Sequence, residues 1–301
     1  MERVNLSSSS SISRIIYGMW RLADDINTSS KHISNKVNLC LDQGITSFDQ
    51  AAVYGLYSAE ALFGEVLKAN PSLRHKIEIV SKCGIVNPSD RYAGVSVSHY
   101  DTSREHIFNS VDASLKNMAT DYLDLLLIHR QDPFLDHHQT GKALDDLIKS
   151  GKVKEVGVSN FKPWDFTLLQ SAMKSHLVTN QIEMSLAATD SFINGDLAFH
   201  QEQATTIMAW SPLGGGKLMK DKGILGKALK KIAVNQNVDI AAVAVAWLLA
   251  HPARICPVMG TNNLNRIAKI SDAMNVKMDR ESWFELYTAS FNDGKLQWRL
   301  P

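Results

Sequence analysis

Eight short apolar runs, spaced along the chain and separated by polar turns and stretches of helical period, constrain this sequence more than any other feature. They lie at 14–18 (RIIYG), 45–49 (ITSFD), 77–82 (IEIVSK), 123–129 (LDLLLIH), 155–159 (EVGVS), 179–183 (TNQIE), 206–211 (TIMAWS) and 255–260 (ICPVMG). β-Branched and long apolar residues dominate them, as buried parallel strands require. Helical periodicity is clearest at 36–42, 59–69, 105–118, 164–174 and 240–250. Thr102 and Glu105 have the spacing of a capping box, Asp239 stands where an N-cap is expected, and His251-Pro252 stops the helix that follows it. Eight strand–helix units in 301 residues predict an α/β fold, a closed (β/α)8 TIM barrel forming a single domain over 1–301. An open doubly wound sheet is the competing architecture, but no early strand is followed by G-x-G-x-x-G. Residues 1–13 precede the first run and are expected to form a lead-in or hairpin.

Composition narrows the function. Lysine and arginine number 32 against 31 acidic residues, so no polyanion or membrane surface is implied as a partner. The longest clean apolar stretch, 240–250, is well short of the about 18–20 residues a bilayer requires. Cys40, Cys83 and Cys256 match no zinc or CxxC spacing and read as reduced thiols. Because no apolar signal core precedes Ile15, a cytoplasmic protein is expected. His137-His138 has no third ligand at a recognisable spacing; it reads as an exposed loop, and no metal is expected.

In a (β/α)8 barrel, chemistry collects where the strands end. Run two ends in Asp49 with Tyr54 five residues on, run three ends in Lys82, and run four ends in His129. Each has an ordinary structural explanation: a turn former, a loop aromatic, a solvated cation, a satisfied core histidine. Together they bring an acid, a phenol, an ammonium and an imidazole to one mouth.

These segments resemble a known family. FDQAAVYG (48–55), IVSK (79–82), LLIHR (126–130), VGVSNF (156–161), NQIE (180–183) and WSPLG (210–214) are similar to the catalytic and cofactor segments of the aldo-keto reductases. The resemblance runs from about Ile15 to the C-terminus. KCGI (82–85) and LGGG (213–216) look most like a bacterial subgroup of uncharacterised oxidoreductases in that family.

The resemblance implies NADPH-dependent reduction of aldehydes or ketones to alcohols. Tyr54 would be the general acid, with Lys82 lowering its pKa, Asp49 pairing with Lys82, and His129 polarising the substrate oxygen. Ser159, Asn160 and Gln181 fall at the positions for the nicotinamide carboxamide, and Trp210 at the position of a stacking aromatic. Gly18, Met19 and Asp49 fall beside the cofactor. Ser211, Pro212, Leu213, Gly214 and Gly215 would wrap the pyrophosphate, with Gly214–Gly216 otherwise reading as a flexible loop. Gly260, Thr261 and Arg266 resemble a 2′-phosphate pocket, which favours NADP over NAD. Lys269 and Ile270 depart from the family's usual Glu and Asn, and Lys269 reads as solvated.

Trp20, Tyr54, His129 and Tyr92 are the candidate walls of the substrate pocket. The long 83–101 loop and the 291–301 segment with Trp298 are further candidates to line or cover the mouth. The expected partner is a small carbonyl compound, with no nucleic acid and no membrane. The alternative is a nicotinamide-cofactor-sensing regulatory subunit with vestigial reductase activity, since the family includes potassium-channel β subunits.

Overall fold

A computed structural model describes residues 1–291. Eight parallel strands close into a barrel in sequence order: β1 (Ile16–Gly18), β2 (Ser47–Asp49), β3 (Glu78–Cys83), β4 (Leu123–Ile128), β5 (Val153–Ser159), β6 (Leu177–Glu183), β7 (Thr206–Trp210) and β8 (Cys256–Met259). β8 returns to β1 through Val258 opposite Ile16, which closes the ring. Helices connect the strands: α1 (Ser30–Leu41), α2 (Ala59–Ala69), α3 (Arg104–Asn117), α4 (His137–Lys149), α5 (Pro163–Ser171), α6 (Asp196–Glu202), α7 (Ile224–Gln236), α8 (Ile240–Leu249), α9 (Leu264–Ile267) and α10 (Arg280–Ala289).

Two apolar layers hold the barrel. Inside it, Ile16, Val80, Leu125, Leu127, Val178, Met208, Cys256 and Val258 form one cluster. Outside, Ile15, Phe48, Ile79, Leu126, Val156 and Val158 pack against helix residues such as Val37, Phe63, Val111 and Leu144. Successive strand residues point to opposite faces, so neighbouring positions feed different layers. An antiparallel hairpin, Arg3–Asn5 with Ser11–Ser13, sends Val4 and Ile12 into the inner cluster. Arg3 bonds Thr46 and Glu78 at 2.9 and 2.7 Å, which fixes that hairpin at the amino ends of β2 and β3.

Several local details differ from the sequence expectations. β5 and β6 begin two residues earlier than their apolar runs. Ser103, not Thr102, caps α3, accepting the His106 amide at 3.3 Å, while Thr102 donates to Asp132 at 2.8 Å. His137 and His138 are the first turn of α4, where Asp136 caps the His138 and Gln139 amides. Asp239 occupies the N-cap of α8 without a side-chain cap bond; its carboxylate faces Lys269 at 3.6 Å. Of the 291–301 segment only Phe291 is described, edge-on to Tyr287 at 5.0 Å; Trp298 lies outside the described residues. No single helix among the described residues is long and apolar enough to cross a membrane, and α8 is largely buried.

Candidate active site at the carboxyl ends of the strands

Asp49 closes β2, and the chain beyond it stays zipped to β3 through Gln50 N to Val80 O at 2.8 Å and Ala52 N to Lys82 O at 3.0 Å. Gly55, Leu56 and Tyr57 then take positive φ values of 57°, 48° and 73°. This tight left-handed turn directly follows Tyr54, whose own amide bonds Ala51 O at 3.0 Å. Two of its residues are not glycine, so the turn is strained, and such strain persists only where its surroundings enforce it. Here the Tyr57 hydroxyl accepts the Asn87 amide at 2.8 Å and clamps the turn to the 83–101 loop.

Lys82 is 1% exposed. Its ammonium reaches both Asp49 oxygens at 2.8 Å, Gln50 O at 2.8 Å and Tyr54 Oη at 2.9 Å. A lysine buried this deeply requires such partners. Burial pulls its pKa down, and the Asp49 carboxylate pulls it back up. The Tyr54 phenol lies well above its ordinary value, first because it is buried and then because Asp49 faces it; Arg130 acts the other way. Burial and Asp49 outweigh the neighbouring Lys82 ammonium, so the phenol keeps its proton. His129 follows β4, with its amide on Cys83 O at 2.9 Å and its ring 5.8 Å from that of Tyr54. Burial, then Lys82 and Arg130, hold its pKa well below the usual histidine value, so the imidazole is neutral.

A second polar group sits on β5, β6 and β7. Strand register puts Gln181 opposite Ser159 and Glu183 opposite Trp210. Ser159 Oγ donates to Gln181 O at 2.8 Å, and Asn160, at φ +61°, donates to Ser159 Oγ at 2.8 Å and His129 O at 3.3 Å. The Trp210 indole donates to Asn160 Oδ1 at 3.0 Å, which fixes the ring. Gln181 Nε2 donates to Asp49 Oδ1 at 2.9 Å and joins this group to the first. One hydrogen-bonded network therefore runs from Trp210 to Tyr54.

After Trp210 the chain turns sharply. Ser211, Gly214, Gly215 and Gly216 have φ values of +51°, +57°, +65° and +93°. Gly214 N to Ser211 O (2.8 Å) and Gly216 N to Leu213 O (2.9 Å) order the turn, so it is built rather than loose. A Cβ on Gly214 would strike the Ala187 Cβ at 2.8 Å, whereas nothing lies within 4 Å of one on Gly215 or Gly216. That open side, flanked by Pro212 and Leu213, leaves room for a bulky anion against backbone, which is the fit a dinucleotide requires.

Gly18 and Gly260 face each other: a Cβ on Gly260 would stand 3.6 Å from Gly18 O, and one on Gly18 only 2.8 Å from Val258 Cγ1. The Tyr17 hydroxyl donates to Thr261 O at 2.8 Å, and Arg266 stands exposed on α9. Met19 is buried with Gln50 Nε2 on its sulfur at 3.0 Å, so its side chain belongs to the core rather than to a ligand surface. Trp20 is 58% exposed, with the Arg21 guanidinium 5.1 Å from its ring centre. Tyr92 meets Tyr57 edge-on at 5.3 Å and stacks on His106 at 6.0 Å. It braces the 83–101 loop.

Sequence reasoning missed Arg130, whose charge acts on both Tyr54 and His129 and whose guanidinium lies 5.8 Å from the Trp210 ring centre. Its place directly after His129 was the available signal. Glu60 was also missed: 1% exposed on α2, it accepts the Ser81 hydroxyl at 2.7 Å behind Lys82. The Cys83 thiol is buried and its pKa pushed up to about 12, which makes it unreactive. Among the described residues no group of three or more His, Cys, Asp or Glu is placed to hold a metal ion.

Residues 14–289 match the sequence model of the Aldo/keto reductase family, and the chain belongs to that family. A 6-dehydroglucose reductase of Agrobacterium fabrum is 61% identical over 289 residues, 96% of this chain and 97% of that one. The oxidoreductase YdhF of Escherichia coli is 42% identical over 92% of this chain and 93% of its own. The thermostable aldo-keto reductase Tm1743, solved with the inhibitor epalrestat, superposes with a TM-score of 0.82 at 24% identity, covering 96% of this chain and all of that one. The chain is thus an oxidoreductase of a family whose general chemistry is carbonyl reduction, and the TIM barrel expected from the eight runs is the fold it adopts.

Proposed function

We propose that the protein is an NADPH-dependent reductase that converts the aldehyde of a sugar-like substrate, of the 6-dehydroglucose type, to the primary alcohol. The observation that carries this reading is the Lys82 ammonium held at 2.8 Å by Asp49 and lying 2.9 Å from the Tyr54 hydroxyl oxygen. The substrate class rests on the name of the Agrobacterium fabrum relative.

Reduction adds a hydride to the carbonyl carbon and a proton to its oxygen. Bound NADPH supplies the hydride. Tyr54 supplies the proton, and Lys82 then faces the phenolate that remains, which it stabilises in a site of low dielectric. Neutral His129 donates a hydrogen bond to the same oxygen as negative charge develops on it. Ser159, Asn160 and Gln181 would hold the carboxamide, and Trp210 would supply an aromatic face for the nicotinamide ring. Residues 211–215 would wrap the pyrophosphate, and Gly260, Thr261 and Arg266 would hold the 2′-phosphate. Trp20 is the exposed aromatic wall on which the apolar face of a sugar rests.

The test follows NADPH oxidation by absorbance across hexose 6-aldehydes, simple aliphatic aldehydes and aromatic aldehydes, with NADH in parallel. Turnover that prefers NADPH and the hexose aldehydes is the expected result. Preference for aromatic aldehydes overturns the substrate class. Tight NADPH binding with no turnover on any carbonyl overturns the enzymatic reading in favour of a cofactor sensor.

A further inference from the structure

Lys36 is fully buried on α1 and belongs to none of the groups described above. Lysine is almost never buried completely unless it is paired, so its partners define its task. Its ammonium contacts Asp25 and also Asn262 Oδ1 at 2.9 Å. Asp25 lies in the loop after β1, and Asn262 in the segment after β8. Asn262 Nδ2 in turn donates to Arg21 O at 2.6 Å, and His32 Nε2 stands 3.2 Å from Asp25. One buried cation therefore ties together the two loops that carry Gly18 and Met19 on one side and Gly260, Thr261 and Arg266 on the other.

The tie reaches the phosphate-facing residues through backbone. Asn262 is covalently placed between Thr261 and Asn263, and Asn263 Oδ1 accepts the Arg266 amide at 3.1 Å to start α9. The Thr261 carbonyl is itself pinned by the Tyr17 hydroxyl at 2.8 Å. Fixing Asn262 thus fixes the residue on each side of it and, through the cap, the origin of the Arg266 side chain.

We propose that Lys36 is a positioning residue for the cofactor: the Asp25–Lys36–Asn262 chain sets the 260–266 segment so that Thr261 and Arg266 meet the 2′-phosphate of NADPH. This rests on the NADPH reading given above. Lys36 touches no part of the cofactor, so it acts on binding and on the choice between NADPH and NADH rather than on hydride or proton transfer.

The experiment is fluorescence titration of Lys36→Met and Asn262→Ala with NADPH and, separately, NADH, with circular dichroism of each variant. Asn262→Ala removes the bonds to Lys36 and Arg21 O but keeps the Lys36–Asp25 pair, and carries the test where Lys36→Met fails to fold. The expected result is a Kd for NADPH raised about tenfold, which corresponds to losing one charge-assisted hydrogen bond, with the Kd for NADH changed less than about twofold. The kcat at saturating NADPH should stay within about twofold of wild type. Equal weakening of both cofactors, or of neither, overturns the inference and leaves Lys36 a stability residue. Wild-type protein that binds neither cofactor, or does not prefer NADPH, removes the NADPH reading itself and the inference with it.

Discussion

Gln181 Nε2 donates to Asp49 Oδ1 at 2.9 Å across the barrel mouth, 132 positions apart in the chain. Through this bond the group on β5–β7 and the group around Tyr54 share one carboxylate. Asp49 therefore has two tasks, neutralising Lys82 and orienting Gln181. Substituting Gln181→Leu should weaken NADPH binding and also change the pH dependence of turnover, because Asp49 loses a donor. Titration of the variant with NADPH and a pH–rate profile check the two effects; a change in binding alone would separate the groups.

Tyr54→Phe removes the proposed proton donor while keeping the ring against His129. Turnover should fall by about 10²–10⁴-fold with the NADPH Kd within about twofold of wild type. Steady-state kinetics and fluorescence titration measure both. Retained turnover would assign the acid elsewhere.

Lys82→Met leaves the Asp49 carboxylate buried with its main partner gone. A loss of about 3–5 kcal/mol is expected, read from chemical denaturation. Asp49→Asn combined with Lys82→Met should recover part of it, because no unpaired charge then remains. Equal loss in the single and double variants would show that packing, not charge, sets the cost.

Acid should destabilise the fold earlier than carboxylates alone predict. Burial lowers the pKa of His106, His129, His200 and His251, to about 4 for His200. A histidine whose folded pKa lies below its unfolded value takes up its proton first in the unfolded chain. Stability is therefore full above about pH 6.5 and declines as pH falls toward the folded value. His200, fully buried against Asn180 Nδ2 at 2.9 Å, should account for on the order of 3 kcal/mol of that decline by pH 4. Denaturation midpoints of wild type and His200→Gln between pH 7 and 4.5 check this; the variant should show the shallower slope.

Gly64→Ala should destabilise by about 1–3 kcal/mol or more, since a Cβ there would fall 1.9 Å from Asn117 O where α2 crosses α3. Gly215→Ala meets no neighbouring atom, so its cost is confined to the positive φ, about 1–2 kcal/mol. Thermal melts of the two proteins compare clash with backbone strain directly.

The barrel was legible because its strands are buried on both faces and therefore stand out as apolar runs. The site was legible at Asp49, Lys82 and His129 because strand ends aim side chains at one mouth. Helices α1 and α4 were less so: α1 opens with the polar stretch SKHIS and α4 with HHQT, whose helical start depends on the Ser29 and Asp136 caps rather than on apolar period. Lys36 was hidden for a similar reason, since a lysine on an amphipathic helix looks solvated until the loops that bury it are folded. The contacts of Tyr92 with Tyr57 and His106 were not legible, because they join residues with no pairing signal in sequence. The direction of the Tyr54 shift could not be read from residue types, because its first cause is burial, which only the folded loops around the phenol provide.

The most direct test of the central claim follows label from the cofactor into the product. NADPH carrying deuterium at nicotinamide C4, on the face transferred, is turned over with a hexose 6-aldehyde, and the alcohol is analysed by mass spectrometry and NMR. One deuterium per molecule on the former carbonyl carbon, with the oxygen-bound proton exchanging with solvent, is the predicted result. An alcohol without deuterium on that carbon, or bound NADPH that never transfers it, would contradict the account.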